Sequence, residues 1–150
     1  MSSYSTIRGN LRDDLQAVVD AGSSPVADLK YGHGRSDFAG FPAIRYYFDG
    51  VENELLAGGG AGSSYRRGYR FKIEIHQEKN AKDAEAAEDA LGAAVDAVMD
   101  SLEANWNLGT ANDMLNAPGS ESIKQEQAEP GNTIIIPILV TARTIHSHAS

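Results

Sequence analysis

The nine residues from Tyr69 to Gln77 alternate in character along the chain. Tyr69, Phe71, Ile73 and Ile75 take one parity, and Arg70, Lys72, Glu74 and His76 take the other. Successive side chains of a strand point to opposite sides of a sheet, so this run predicts a strand with one dry face and one polar face. The dry face needs cover, and two stretches read as helices able to supply it. The first spans about residues 6–21, where Ile7, Leu11, Leu15, Val18 and Val19 recur at helical spacing. Ser5 or Thr6 is the expected cap, and Gly22-Ser23-Ser24-Pro25 ends the helix. The second spans about residues 81–105, with Ala84, Ala87, Leu91, Val95, Val98 and Leu102 as its apolar stripe. Its small residues Ala84, Ala87, Gly92 and Ala94 are expected to let it lie close to the sheet, and Leu108-Gly109 closes it.

Further strands complete the sheet. Residues 26–31 read as a short strand, followed by a loop over residues 32–37. Residues 41–48 are rich in aromatic and β-branched residues, with Ile44, Tyr46 and Phe48 on one face and Tyr47 on the other. Asp49-Gly50 then predicts a tight type I′ hairpin, with residues 51–57 returning. The last strand, residues 133–145, places Ile134, Ile136, Ile138, Val140 and Ala142 on one face, while Ile135 and Leu139 add apolar weight to the other. Pro137 cannot donate to a ladder, which puts that strand at an edge or a bulge, and Pro42 says the same of its own strand. The expected fold class is α+β: one domain over residues 1–150, with a mostly antiparallel sheet and an N-terminal helix and a long acidic helix packed on one face. Residues 57–68 and 107–132 are expected to be flexible loops, and residues 146–150 a C-terminal tail.

Charge and composition narrow the function. The formal net charge is −8, which disfavours general binding to a phosphate backbone and favours solubility. With no cysteine there is no disulfide, thiol nucleophile or cysteine metal site. The first residues do not read as a signal peptide, and the longest apolar run, Ile134 to Val140, is too short to span a bilayer as a helix. The glycine-rich stretch from Gly58 to Gly68 lacks the G-K-[ST] ending of a P-loop and precedes a strand instead of a helix. No G-x-S-x-G occurs, and the adjacent acids Asp13-Asp14 and Glu88-Asp89 point in different directions on their helices. His146 and His148 share a strand face but lack a third ligand, and His76 reads as a solvated or interface side chain. Trp106 reads as a core or interface anchor. No catalytic, cofactor or metal site is expected, and the alternative is a small ligand-binding or enzymatic domain with a site near His33. The charge is also segregated. Arg66, Arg67, Arg70 and Lys72 fall within seven positions, whereas the stretch from Asp83 to Glu103 holds seven acids and no base. These segregated charges suit either solvated faces or self-association.

The order of elements resembles one family. An amphipathic helix is followed by Phe41-Pro42-Ala43-Ile44-Arg45-Tyr46-Tyr47-Phe48 and an acidic turn. Then come Arg66-Arg67-Gly68, the strand Tyr69-Arg70-Phe71-Lys72-Ile73-Glu74-Ile75, an alanine-rich acidic helix and an Ile/Val strand. Over residues 5–146 this is similar to the tail terminator, or tail completion, proteins of long-tailed bacteriophages. The resemblance implies a non-enzymatic virion protein, made in the host cytoplasm, whose hexameric ring caps the tail tube and ends its polymerisation. It implies a homo-oligomer with the tail tube protein and the head–tail connector or neck proteins as partners. DNA would pass through the channel without specific binding, and no membrane or cofactor is involved. Arg66, Arg67, Arg70, Lys72, Pro137, Ile135 and Leu139 are the expected interface residues. A head-completion or connector adaptor is the neighbouring alternative, and an interaction module with no virus connection is another.

Overall fold

A computed structural model of the chain describes residues 4–32, 38–57, 64–78, 83–105, 114–115, 126–128 and 133–147. Helix α1 runs Tyr4–Asp20 and helix α2 runs Ala84–Ala104. The strands are β1 (Asp28–Tyr31), β2 (Ala43–Ala57), β3 (Ser64–Glu78), β4 (Met114–Leu115), β5 (Glu126–Ala128) and β6 (Thr133–Ser147). Their order in the sheet is β1-β2-β3-β6-β4, with β5 also paired to β6. The pairing is antiparallel except between β1 and β2, which run parallel. This is the expected α+β fold.

One face of the sheet is buried under the helices. Ile7, Leu11, Leu15 and Val18 of α1 and Leu91, Ala94, Val98 and Leu102 of α2 join Ile44, Tyr46, Phe71, Ile73, Ile75, Ile138 and Val140 in a single core. Tyr4 extends the cover at one end, with its ring stacked 6.0 Å from Phe71 and tilted against Phe48 at 4.7 Å. Only part of the expected α2 stripe is buried. Ala84 and Gly92 are exposed, and Ala94 is the small residue that meets the sheet. Asp83 caps α2, its carboxylate accepting from the Ala86 amide at 3.0 Å. Asn105, not Leu108-Gly109, stands at the C-cap of α2, its amide donating to the Ser101 carbonyl at 3.1 Å. Ser5 and Thr6 lie inside the first turn of α1, so neither is the cap expected of them.

The largest departure from the sequence reading is at Asp49-Gly50. The chain does not reverse there. Strand β2 continues to Ala57, and the pairing with β3 shifts by one residue between Phe48 and Gly50. The dipeptide is a β-bulge, with Gly50 at φ 134°, a conformation that suits glycine and no L side chain. A second shift falls between Leu55 and Ala57. An Asp-Gly pair supplies a positive φ for a bulge as readily as for a turn, and β3 is long enough to pair the whole of β2. The expected loop 57–68 therefore shrinks, because Ala57 belongs to β2 and residues 64–68 belong to β3. Similarly, β4 and β5 interrupt the expected loop 107–132, and β6 absorbs residues 146 and 147 of the expected tail. Pro42 lies just before β2 and marks its start, not an edge within it.

The β3–β6 register is unbroken from Ser64↔Ser147 to Glu78↔Thr133. Pro137 thus sits at no bulge. On the outer side of β6, β5 pairs residues 133–135 and β4 pairs residues 142–143. Pro137 lies between them, where no strand pairs on that side among the described residues, which is the edge position a proline requires.

Candidate interaction surface

The sheet face opposite the helices is built of cross-strand rows fixed by the register. Arg45, Glu74 and Pro137 form one row; Tyr47, Lys72 and Leu139 the next; then Gly50, Arg70 and Thr141; then Glu52, Gly68 and Arg143. We call this the open face. Parity assigns Arg66, Arg70, Lys72, Ile135, Pro137 and Leu139 to it, six of the seven residues expected at an interface. Arg67 has the other parity and lies on the helix side of the sheet. Leu139 is 39% exposed beside Lys72, whereas Pro137 is buried.

At one end the open face is roofed by the segment before β2. The Phe38 ring lies 5.1 Å from the His76 ring, and the Arg45 guanidinium lies 5.6 Å over Phe38. Beneath this roof Glu74 is a hub. The Tyr47 hydroxyl donates to its Oε2 at 3.0 Å, His76 Nε2 stands 3.1 Å from its Oε1, and Lys72 Nζ is 4.0 Å away. Burial alone would push the Glu74 carboxyl up. The hydrogen bonds from His76 and Tyr47 and the charges of His76 and Lys72 outweigh it and hold the group below its ordinary value. Tyr47 moves the opposite way: burial and its bond to Glu74 push its hydroxyl well above the usual range. His76 is buried, so the expectation of a solvated or interface histidine is corrected. Its carboxylate partner Glu74 is two residues away on the same strand face, whereas its aromatic partner Phe38 is brought to it by the fold.

Away from the roof the face is ionic. Arg66 Nη1 meets Glu54 Oε2 at 3.4 Å. Arg143 Nη2 meets Glu52 Oε1 at the same 3.4 Å, from two strands away. The reach is possible because Gly68 lies between them. A Cβ there would stand 2.9 Å from both Glu52 Cγ and Thr141 Cγ2. Arg70 is exposed and lies across Gly50, where an added Cβ would come within 2.8 Å of its Nη2. Arg70 has no carboxylate partner among the described residues. Exposed pairs of this kind contribute at most about 1 kcal/mol each, so they leave the face free to re-pair.

Two other surfaces complete the picture. On the helix side, beyond the reach of α1, Arg67 Nε donates to Asn53 Oδ1 at 3.3 Å. Arg67, Asn53, Glu52, Phe48, Val51 and Tyr69 line a shallow cavity of about 420 Å³. Across the molecule from the open face, α2 turns Glu85, Glu88, Asp89, Asp96, Asp100 and Glu103 to solvent. None of these six has a cationic partner among the described residues. Gly58–Ser63, His33, Trp106 and His148 lie outside the described residues, as do the loop and histidine on which a ligand site near His33 would depend. His146 is opposite Tyr65 in the β3–β6 ladder. Among the described residues, no three His, Asp or Glu side chains are grouped to hold a metal ion.

No protein-family model matches the chain, and no curated protein matches it. Among solved structures, a chain described as from the virion of a native gene transfer agent particle superposes with a TM-score of 0.51 at 16% sequence identity. The superposition covers 96% of the present chain and 100% of that chain. At that identity the likeness establishes a shared fold.

Proposed function

We propose that this chain is a structural, non-enzymatic protein of a virion, acting at the neck as a hexameric ring that caps the tail tube, ends its polymerisation and joins the tail to the head. The observation that carries the reading is the distribution of surface chemistry over a fold shared with a virion chain. Beyond its roofed end, one sheet face is uncovered among the described residues and bears cations and the exposed Leu139. The opposite side bears an acidic helix whose outer carboxylates have no cationic partner among the described residues. Complementary patches on opposite sides of one molecule make a heterologous contact, and such contacts close into rings when the rotation allows. The order of elements, which resembles tail terminator proteins, points the same way.

In this role the partners are further copies of the chain, the tail tube protein and the head–tail connector. The net charge of −8 suits a channel through which DNA slides without binding. Negative-stain imaging with light scattering, on the chain alone and mixed with the tube protein of the same particle, tests the proposal. Six-membered rings, or tubes capped at one end, are the expected result. A strict monomer that leaves tube length unchanged overturns it. Rings that bind a head connector but leave tube growth unchanged would move the assignment to a head-completion adaptor.

A further inference from the structure

We infer that the subunit contact of this ring is the open sheet face around Arg70, Lys72 and Leu139 of one copy, docked on the outer acidic face of α2 of the next. The inference rests on the ring reading above and adds which surfaces meet.

Three observations support it. The first is the state of the open face. Arg70 has no carboxylate among the described residues, and Lys72 has only a long 4.0 Å contact to Glu74, a carboxylate it shares with Tyr47 and His76, so the centre of the face holds an excess of cationic charge. Leu139, directly across the ladder from Lys72, adds an exposed apolar side chain to the same spot. Outside the roofed end, nothing among the described residues covers these rows.

The second is the state of α2. Its exposed acids repeat at i, i+4 as Glu85 with Asp89 and Asp96 with Asp100, with Glu103 following three residues later. Like charges at these spacings oppose helix formation. The last turn contains an acid and no base, which also opposes the helix dipole. Glu85 in the first turn suits the helix dipole, but the acids further along an isolated helix gain nothing from it. Cations brought by a neighbour would relieve both penalties. Gly92 and Ala93, exposed between Asp89 and Asp96, leave room for an apolar side chain such as Leu139.

The third is placement. The two patches are on opposite sides of the molecule, with the sheet and core between them. A copy cannot satisfy itself, and each copy offers one patch of each kind. That is the geometry of head-to-tail closure. A single occupant seated on one patch, other than a second copy, would leave the other patch unmatched.

Charge reversal tests the contact in the full chain. One variant carries Arg70→Glu and Lys72→Glu; the other carries Asp89→Arg and Asp96→Arg. Sedimentation velocity and ring counts by negative stain are measured for wild type, for each variant and for their equimolar mixture, alone and with tube protein. Circular dichroism and the melting temperature verify that each variant is folded. Each variant alone should need at least about tenfold more protein to assemble than wild type, because both of its faces then carry like charge. The mixture should recover rings in which the two variants alternate, since every junction is again complementary. Wild-type rings with variants that assemble normally, or with a mixture that recovers nothing, would overturn this contact and leave the ring role standing. Wild type that forms no ring with or without tube protein would overturn the ring role and this contact with it.

Discussion

Gly50→Ala separates a bulge held by backbone conformation from one held by side-chain space. Gly50 has φ 134°, and an L residue held in such a region costs of order 1–3 kcal/mol. The added methyl would also meet Arg70 Nη2 at 2.8 Å, but that atom is the free end of a flexible, exposed side chain, and moving it costs little. Opposing both, alanine lowers the entropy of the unfolded chain and returns about 0.4–1 kcal/mol. The net loss should be about 1–2 kcal/mol. For a domain of this size that corresponds to a fall of roughly 2–8 °C in Tm. Urea unfolding followed by circular dichroism, with the thermal melt beside it, measures the loss. The double variant Gly50→Ala/Arg70→Ala should lose as much stability as Gly50→Ala does relative to Arg70→Ala alone, because the strain is in the backbone. Full recovery in the double variant would refute the conformational argument and leave a steric one. A Gly50→Ala protein as stable as wild type would refute the bulge itself.

Other consequences are simpler. Gly9 and Gly92 lie in α1 and α2 with nothing near a prospective Cβ, so Gly9→Ala and Gly92→Ala should each raise stability by about 0.5–1 kcal/mol in the same urea titration. Phe71 is the largest fully buried side chain, and Phe71→Ala should cost about 3–5 kcal/mol, read as a lower urea midpoint; a loss under about 1 kcal/mol would contradict its central place in the core. Asp14 has its carboxyl pushed up to about 6 by burial and by neighbouring Asp13, and its Oδ2 is buried without a hydrogen bond among the described residues. The folded state therefore holds this proton more tightly than the unfolded state. Stability attributable to the group falls as pH rises from about 4 to about 6, and the penalty is complete above that. Asp14→Asn should stabilise the protein at pH 7 by about 1 kcal/mol, after allowance for partial solvent screening, and the gain should fade at pH 4. An equal gain at both pH values would show that burial of the charge is not the cause.

Much of the fold was legible because period carries it. Ile7, Leu11, Leu15 and Val18 keep helical spacing, and Tyr69, Phe71, Ile73 and Ile75 keep strand spacing; all of them are buried as their spacing requires. The same parity placed six of seven expected interface residues on one face, although it was composition and an edge proline that drew attention to them. Arg67 was grouped with Arg66 and Arg70 by sequence proximity, and strand parity separates it. The bulge at Asp49-Gly50 was not legible, since whether the chain turns or continues depends on how far the next strand, β3, extends to pair with it. The Glu74 hub was hidden for the same reason. Glu74 and His76 already share one strand face two residues apart, but only register brings Tyr47 to Glu74, and only the fold lays Phe38 over His76.

In the proposed ring, the features that local rules disfavour are the ones assigned to the subunit contact. Exposed Leu139 adds nothing to the stability of a lone chain, and the acids in the middle and last turn of α2, with no base among them, lower it. Neither is needed to fold it. The dry face is already covered by eight buried helix side chains, and the open face could have carried uncharged polar residues throughout. Gly68 and Gly50 show the opposite tendency: they omit side chains where Glu52 and Arg70 lie flat, which keeps the open face low and even. A partly cationic sheet face with side chains omitted at Gly50 and Gly68 suits an extended neighbour such as a helix better than a small ligand, which would need a concave pocket. The shape of the open face and the charge of α2 thus favour the same kind of partner.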